Sequence, residues 1–189
     1  MRELGLHILD IVENAIEAGA KDIRLDIVQD MDHNQLTITV QDDGRGMDQT
    51  TLKKVRDPFY TTRTTRHVGL GIPLFAAAAE RCAGKLEIVS SPGQGTTIVA
   101  TFEHDHIDRA PLGDMPSTLL GILMRGQAFD LYYRHTHIEH GQERSFVFDT
   151  NEIKQILDGV PLTYPDVREW LHAFLIQGEE SVHCEQETR

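Results

Sequence analysis

Cysteine is nearly missing from this chain: 189 residues hold two, Cys82 and Cys184. They form no pair with metal-ligand spacing, and they read as reduced thiols of a cytoplasmic protein. Positive charge is also short, with 18 Lys and Arg against 30 Asp and Glu and a net charge of -12 at pH 7. Such an acidic chain is a poor general nucleic-acid binder, because that task needs phosphate neutralisation. An anionic ligand must instead be held by backbone amides, a metal ion or a few arginines. Long apolar runs are missing too. The longest, residues 72–79, is too short to cross a bilayer, so no membrane partner is expected. The N-terminal residues mix charges among their apolar positions, unlike a signal peptide. No internal repeat is present.

What remains is 40% hydrophobic and 25% charged, a globular composition with length for one ordinary domain and a smaller one. The organising stretch is residues 9–20, LDIVENAIEAGA. Read as a helix, Leu4, Ile8, Ile11, Val12 and Ala15 form one buried stripe. Asp10 and Asn14 are four apart and stack one turn over the other on a different face. Gly19 suits the left-handed position that ends a helix. A carboxylate over a carboxamide suits a site; the same pair also suits a plain solvated face.

Two alternating segments follow, residues 23–27 and 36–40, and predict a hairpin. QDDGRGM, residues 41–47, leaves the second strand as a glycine-bearing loop. Asp48 is placed to cap a short helix. Residues 57–68, DPFYTTRTTRHV, show neither a helical nor a strand period. A helix then begins in GLGIP and tolerates Pro73 in its first turn. A strand over 85–90, the tight loop SPGQG and a strand over 96–102 complete this part. Residues 104–114 read as a boundary. Beyond it come a helix near 117–125, a hairpin turning at His140 and Gly141, a short helix opened by Asp149, and an amphipathic helix over 165–177. The final residues read as a frayed tail.

Three glycine sites carry candidate chemistry. In Asp42-Asp-Gly-Arg-Gly46, Gly44 and Gly46 allow close backbone approach to a flat ligand. A carboxylate there accepts from the exocyclic amine of adenine and repels the acceptor that guanine presents. Gly69-Leu-Gly71 offers unpaired amides at the positive end of a helix, an arrangement suited to phosphate. Gly93-Gln-Gly95-Thr96 sets a hydroxyl at the start of the last strand, beside Asp42. Each also reads as an ordinary turn or junction.

The order N-terminal helix, DxGxG, PF-T-T-R, GLG and GxGT resembles the ATP-binding domain of the gyrase, heat-shock chaperone, histidine kinase and MutL superfamily. The resemblance covers Leu4 to about Phe102. Residues 9–20 look most like the mismatch-repair branch, while DPFYTTR and SPGQGT look like the histidine kinase branch. It implies an α+β class: a two-layer α/β sandwich of the Bergerat ATP-binding type, with a mixed, mostly antiparallel sheet, over residues 1–104. Residues 105–189 would form a small α+β interaction module.

The resemblance also implies roles. Asn14 should place its carboxamide oxygen on Mg²⁺, an ion that keeps several waters and takes phosphate oxygens. Asp42 should read adenine, with Gly44, Gly46 and Met47 lining the base pocket and Thr96 beside them. Gly69, Leu70 and Gly71 should contact phosphates. Phe59, Thr62 and Arg63 belong to the expected lid, where Arg63 or Arg66 would offset charge on the transferred phosphoryl group. Asp10 stands where hydrolysing members carry a Glu that activates water. Asp is shorter by about 1.5 Å on ordinary bond lengths. A misplacement of that size costs ~100-fold in rate. Asp10 is therefore read either as the general base or as a residue that orients Asn14 or a Mg²⁺ water.

Two departures stand out. His67 and Val68 replace an earlier glycine of the kinase pattern. No phosphoacceptor helix pair is expected ahead of the first helix, which argues against a self-phosphorylating sensor. His135, His137 and His140 cluster near a hairpin end and suit either a metal or a solvated strand face. The C-terminal part resembles small ATP-binding proteins encoded beside NAD(P)-linked iron hydrogenases, so a hydrogenase subunit or regulator is an implied protein partner. The expectation is a cytoplasmic Mg-ATP-binding protein with slow ATPase or phosphotransferase activity on a partner protein. The competing readings are a non-catalytic ATP sensor or assembly factor for a redox complex, and an anti-sigma-factor-type serine/threonine kinase.

Overall fold

The computed structural model describes residues 3–55, 71–125 and 129–183. The elements are α1 (Leu4–Glu17), β1 (Asp22–Asp30), β2 (Gln35–Asp42), α2 (Gln49–Lys54), α3 (Gly71–Arg81), β3 (Lys85–Ser90) and β4 (Thr96–Glu103). They continue with α4 (Met115–Leu123), β5 (Asp130–Glu139), β6 (Gln142–Asp149), α5 (Thr150–Leu157) and α6 (Pro165–His183). The strands form one sheet in the order β3-β4-β2-β1-β5-β6. Every pairing is antiparallel except β1 with β5. The class is the mixed, mostly antiparallel α+β sandwich that the motif order implies. Residues beyond 104 add β5 and β6 to the same sheet as the motif-bearing strands.

The period of two in β1 buries Ile23, Leu25 and Ile27 under the helices. Its other face carries Asp26, which pairs with Arg134 at 2.8 Å, and Arg24, which lies over the Tyr132 ring. That face is polar, so the helices cover one side only. The whole predicted stripe of α1, Leu4, Ile8, Ile11, Val12 and Ala15, is buried. Each of the four larger side chains contributes roughly 1.5–3 kcal/mol on burial, so the stripe explains why α1 docks where it does. No side chain caps the N-terminus of α1. Leu4 N and Gly5 N donate instead to the carbonyls of Pro111 and Leu112, each at 2.8 Å. Gly19 follows the helix with φ +81°.

The C-terminal helix differs from expectation. It runs to His183 instead of fraying after residue 177, and residues 184–189 lie outside the described set. The reason is packing: Val182 is fully buried, and Gly178 lies so close to Phe146 that a Cβ would come within 2.2 Å of its ring. Glu179 accepts from the Tyr133 hydroxyl at 2.6 Å and from His135 Nδ1 at 2.8 Å. With that proton on Nδ1, His135 Nε2 accepts from the Gln29 amide at 2.9 Å, and Gln29 Oε1 accepts from His104 Nε2 at 3.3 Å. A chain of polar contacts thus runs from α6 through β5 and β1 to the connector after β4. His135 and His137 are buried, with the His183 ring 5.4 Å from each. This corrects the solvated-face reading. Among the described residues no group of three or more His, Cys, Asp or Glu is placed to hold an ion. No described helix is long and apolar enough to cross a membrane.

Candidate functional site

The two aspartates that leave β2 do different work. Asp43 is exposed, and its Oδ1 accepts from Lys21 N at 2.7 Å and Asp22 N at 2.9 Å, which ties the loop to the start of β1. Those amides hold the Asp43 carboxyl below its ordinary range. Asp42 is half-buried and faces a cavity of about 450 Å³. Burial raises its pKa, against the pull of the Gly44 and Thr96 amides, and the neighbouring Asp43 charge adds to the rise. Gly44 N lies 2.9 Å from Asp42 Oδ1, so one carboxylate oxygen is held by its own loop.

The cavity lies between α1, the loop and short helix after β2, and the sheet. Ile11, Val40, Ile72 and Ile98 give it apolar walls, while Asn14, Asp42, Thr96 and Met47 stand among its linings. Asp48 caps α2 by accepting from Thr51 N at 2.7 Å, as its position after the glycine loop predicts. Among the described linings the charged groups are Glu17, Asp42, Asp48 and Arg45. A polyphosphate is therefore repelled here unless a cation or arginines from elsewhere accompany it.

Gly46 and Gly95 press two loops together. Gly46 has φ +64°, and a Cβ on it would meet Ser91 O at 2.0 Å; Gly95 has φ +78°, and a Cβ would meet Asp42 O at 1.8 Å. Both positions need glycine for conformation and for space. Ser90, which the sequence reading passed over, fastens the junction. Its Oγ donates to Gly95 O at 2.9 Å, accepts from Met47 N at 2.8 Å and lies 2.9 Å from Thr96 Oγ1. Since the Ser90 proton goes to Gly95, the Thr96 hydroxyl is the donor of that last pair. Ser90 ends β3 directly opposite Thr96 in the register, a pairing that the sequence alone does not reveal.

Asn14, Asp42, Met47 and Thr96, with Gly46, are thus brought to one cavity. Gly44 is buried in the loop beside Ala18. Asp10 lies one turn before Asn14 and outside the cavity lining, against the first residue of α3; a Cβ on Gly71 would come 3.0 Å from the Asp10 Cβ. Phe59, Thr62, Arg63, Arg66, Gly69 and Leu70 lie outside the described residues.

Comparison with known proteins agrees with this geometry. The family described as histidine kinase-, DNA gyrase B-, and HSP90-like ATPase matches residues 2–106. The sensor protein kinase FleS of Pseudomonas aeruginosa is 40% identical over 105 residues, 56% of this chain and 25% of that protein. Sporulation kinase C of Bacillus subtilis is 34% identical over 88 residues, 47% of this chain and 20% of that one. The chain therefore spans a quarter or less of the length of these two relatives. A crystal structure of the N-terminal domain of a DNA repair protein superposes with a TM-score of 0.53 at 14% identity, covering 77% of this chain and 52% of that one. At that identity the likeness concerns the fold.

Proposed function

From the premise that the chain belongs to the histidine kinase-, DNA gyrase B-, and HSP90-like ATPase family, we propose that it binds Mg-ATP in the cavity beside α1. In this reading it either hydrolyses ATP slowly or passes the γ-phosphoryl group to a protein partner in the cytoplasm. The observation that carries the reading is convergence: Asn14 of α1, Asp42 of β2 and Thr96 of β4 line one cavity.

Adenine fits between the Ile11, Val40, Ile72 and Ile98 walls, with Asp42 accepting from its exocyclic amine. The Thr96 hydroxyl, held by Ser90, would share the ordered water beside that amine. The donor set also suits Mg²⁺. Asn14 offers one neutral oxygen, and the acidic lining calls for a cation with the polyphosphate. When bound, the ion supplies charge neutralisation on the phosphate oxygens. Gly69, Leu70 and Gly71 would give amides to the phosphates, and Phe59, Thr62 and Arg63 would close over them. Phosphoryl transfer of this kind rests on positioning and charge offset.

One observation favours a second reading, an ATP-dependent sensor or assembly factor with little turnover. Asp10 is the shorter carboxylate and lies against Gly71 instead of lining the cavity. The resemblance of residues 105–189 directs the search for its partner to hydrogenase subunits. Steady-state hydrolysis by wild type, Asp10→Ala and Asn14→Ala separates the two. Turnover that Asp10→Ala abolishes while calorimetry still finds Mg-ATP binding supports the enzyme. Tight binding without turnover in wild type supports the sensor. A wild type that binds no Mg-ATP overturns both.

A further inference from the structure

We propose that the C-terminal module sets the orientation of α1, and through it the affinity of the nucleotide site, with Arg125 as the positioning residue. This rests on the nucleotide reading of the cavity.

Helix α1 has two working faces. Ile11, Asn14, Ala15, Glu17 and Ala18 line the cavity. Besides packing on α3 and the sheet, the helix meets the C-terminal part of the chain near both of its ends. At its start, the amides of Leu4 and Gly5 are capped by the carbonyls of Pro111 and Leu112 in the connector. Gly5 sits tight under that connector and under α4: a Cβ would lie 3.0 Å from Leu112 O and 3.1 Å from Thr118 Oγ1. Nearer its end, Glu13 accepts from Arg125 Nη2, two residues beyond the last residue of α4. These holds are about 13 Å apart along the helix axis.

A rod held at two such points cannot tilt or roll without breaking one of them. Glu13 immediately precedes Asn14, so any roll that Arg125 imposes on Glu13 turns Asn14 by the same angle. Asp10, one turn earlier, abuts Gly71 at the start of α3, so the same roll reaches the segment that follows the expected lid. The Glu13–Arg125 pair is also accessible, with side chains 24% and 45% exposed, so a partner docking on α4 can disturb it. Linkage then requires reciprocity: what α4 does to nucleotide affinity, nucleotide does to α4 by the same factor.

The test measures Mg-ATP affinity by calorimetry for wild type, Arg125→Ala, Glu13→Ala and the exchanged pair Glu13→Arg with Arg125→Glu. Each single variant should weaken binding about 3- to 5-fold, the scale of a partly exposed ion pair, and the exchange should restore it. Hydrogen exchange on the full chain supplies the second readout. Mg-ATP should slow the Leu4 and Gly5 amides and α4 in wild type, and slow them less in Arg125→Ala. Circular dichroism and melting confirm that each variant is folded. Unchanged affinity in Arg125→Ala, or an exchanged pair as weak as the single variants, overturns the proposal while leaving the nucleotide reading intact. A wild type that binds no Mg-ATP overturns the nucleotide reading and this one with it.

Discussion

Asp42 on β2 and Thr96 on β4 are direct register partners, and both face the cavity beside α1. The Thr96 amide stabilises the ionised Asp42 carboxyl, yet burial outweighs it and raises the pKa. The sign follows. A carboxyl with a raised folded pKa favours the fold below its unfolded value, and that stability is lost as pH rises through the folded pKa. At neutral pH the charge is a burden on the empty protein. Asp42→Asn should therefore raise the melting temperature of the unliganded chain and, by presenting a donor to the adenine amine, weaken ATP binding by about 100-fold. Melting curves and calorimetry on one sample check both. An unchanged affinity removes the adenine-reading role.

Ser90 links three backbone or side-chain groups with one hydroxyl. Ser90→Ala leaves the Met47 amide and the Gly95 carbonyl without that partner at a buried junction, a cost of about 1–3 kcal/mol. Urea denaturation should show this loss. Since the two joined loops bear Met47 and Thr96, Mg-ATP affinity should fall as well. Ser90→Thr, which keeps the hydroxyl, should lose less. A destabilised variant with unaltered affinity would mean that the clasp serves the fold and not the site.

The parts that repeat locally were legible beforehand. Alternation in residues 23–27 and 36–40 marked β1 and β2, and the stripe from Leu4 to Ala15 marked α1 because burial imposes the helical period on the sequence. Asp48 announced its helix because an N-cap needs an acceptor side chain. The parallel pairing of β1 with β5 left no such trace, since Asp22 meets Asp130 only through the fold. Ser90 was missed for the same reason: a lone serine at a strand end looks like any surface hydroxyl. The length of α6 was misjudged because Glu179 and His183 are polar, and their buried partners lie on β5.

That interface gives a prediction about the tail. Glu179 holds two buried groups at once, the Tyr133 hydroxyl and His135. Burial and the Glu179 charge hold the Tyr133 phenol well above its ordinary range, so it remains a donor. Removing the acceptor in Glu179→Ala leaves both buried donors unsatisfied and should cost about 1–3 kcal/mol for each. Glu179→Gln keeps one acceptor oxygen and should cost less. Truncation after Gln177 should destabilise the whole sheet, because β5 lies next to β1. Thermal melts of the three variants rank these effects. If truncation leaves the melting temperature unchanged, α6 beyond residue 177 does not hold the fold.

His7 makes acid sensitivity predictable. It is 4% exposed on α1, stacked on Phe75 at 5.2 Å, and its Nδ1 has no partner among the described residues. Burial, and then nearby positive charge including Arg81, lowers its pKa from 6.5 to about 4. A base with a depressed folded pKa stabilises the fold fully above its unfolded value, and that contribution is lost as pH falls from 6.5 toward 4. The whole span is worth roughly 3 kcal/mol, of which roughly 2 kcal/mol should be gone by about pH 5. His104 and His183 are also lowered, chiefly by burial, so they act in the same direction and a residual slope should persist without His7. His7→Leu keeps the apolar contact with Phe75 and removes the titrating group. Urea denaturation at pH 7 and pH 5 should show wild type losing roughly 2 kcal/mol more than His7→Leu between the two conditions. Equal losses would mean that acid unfolding is driven elsewhere, with the cluster around His135 and His183 the next place to substitute.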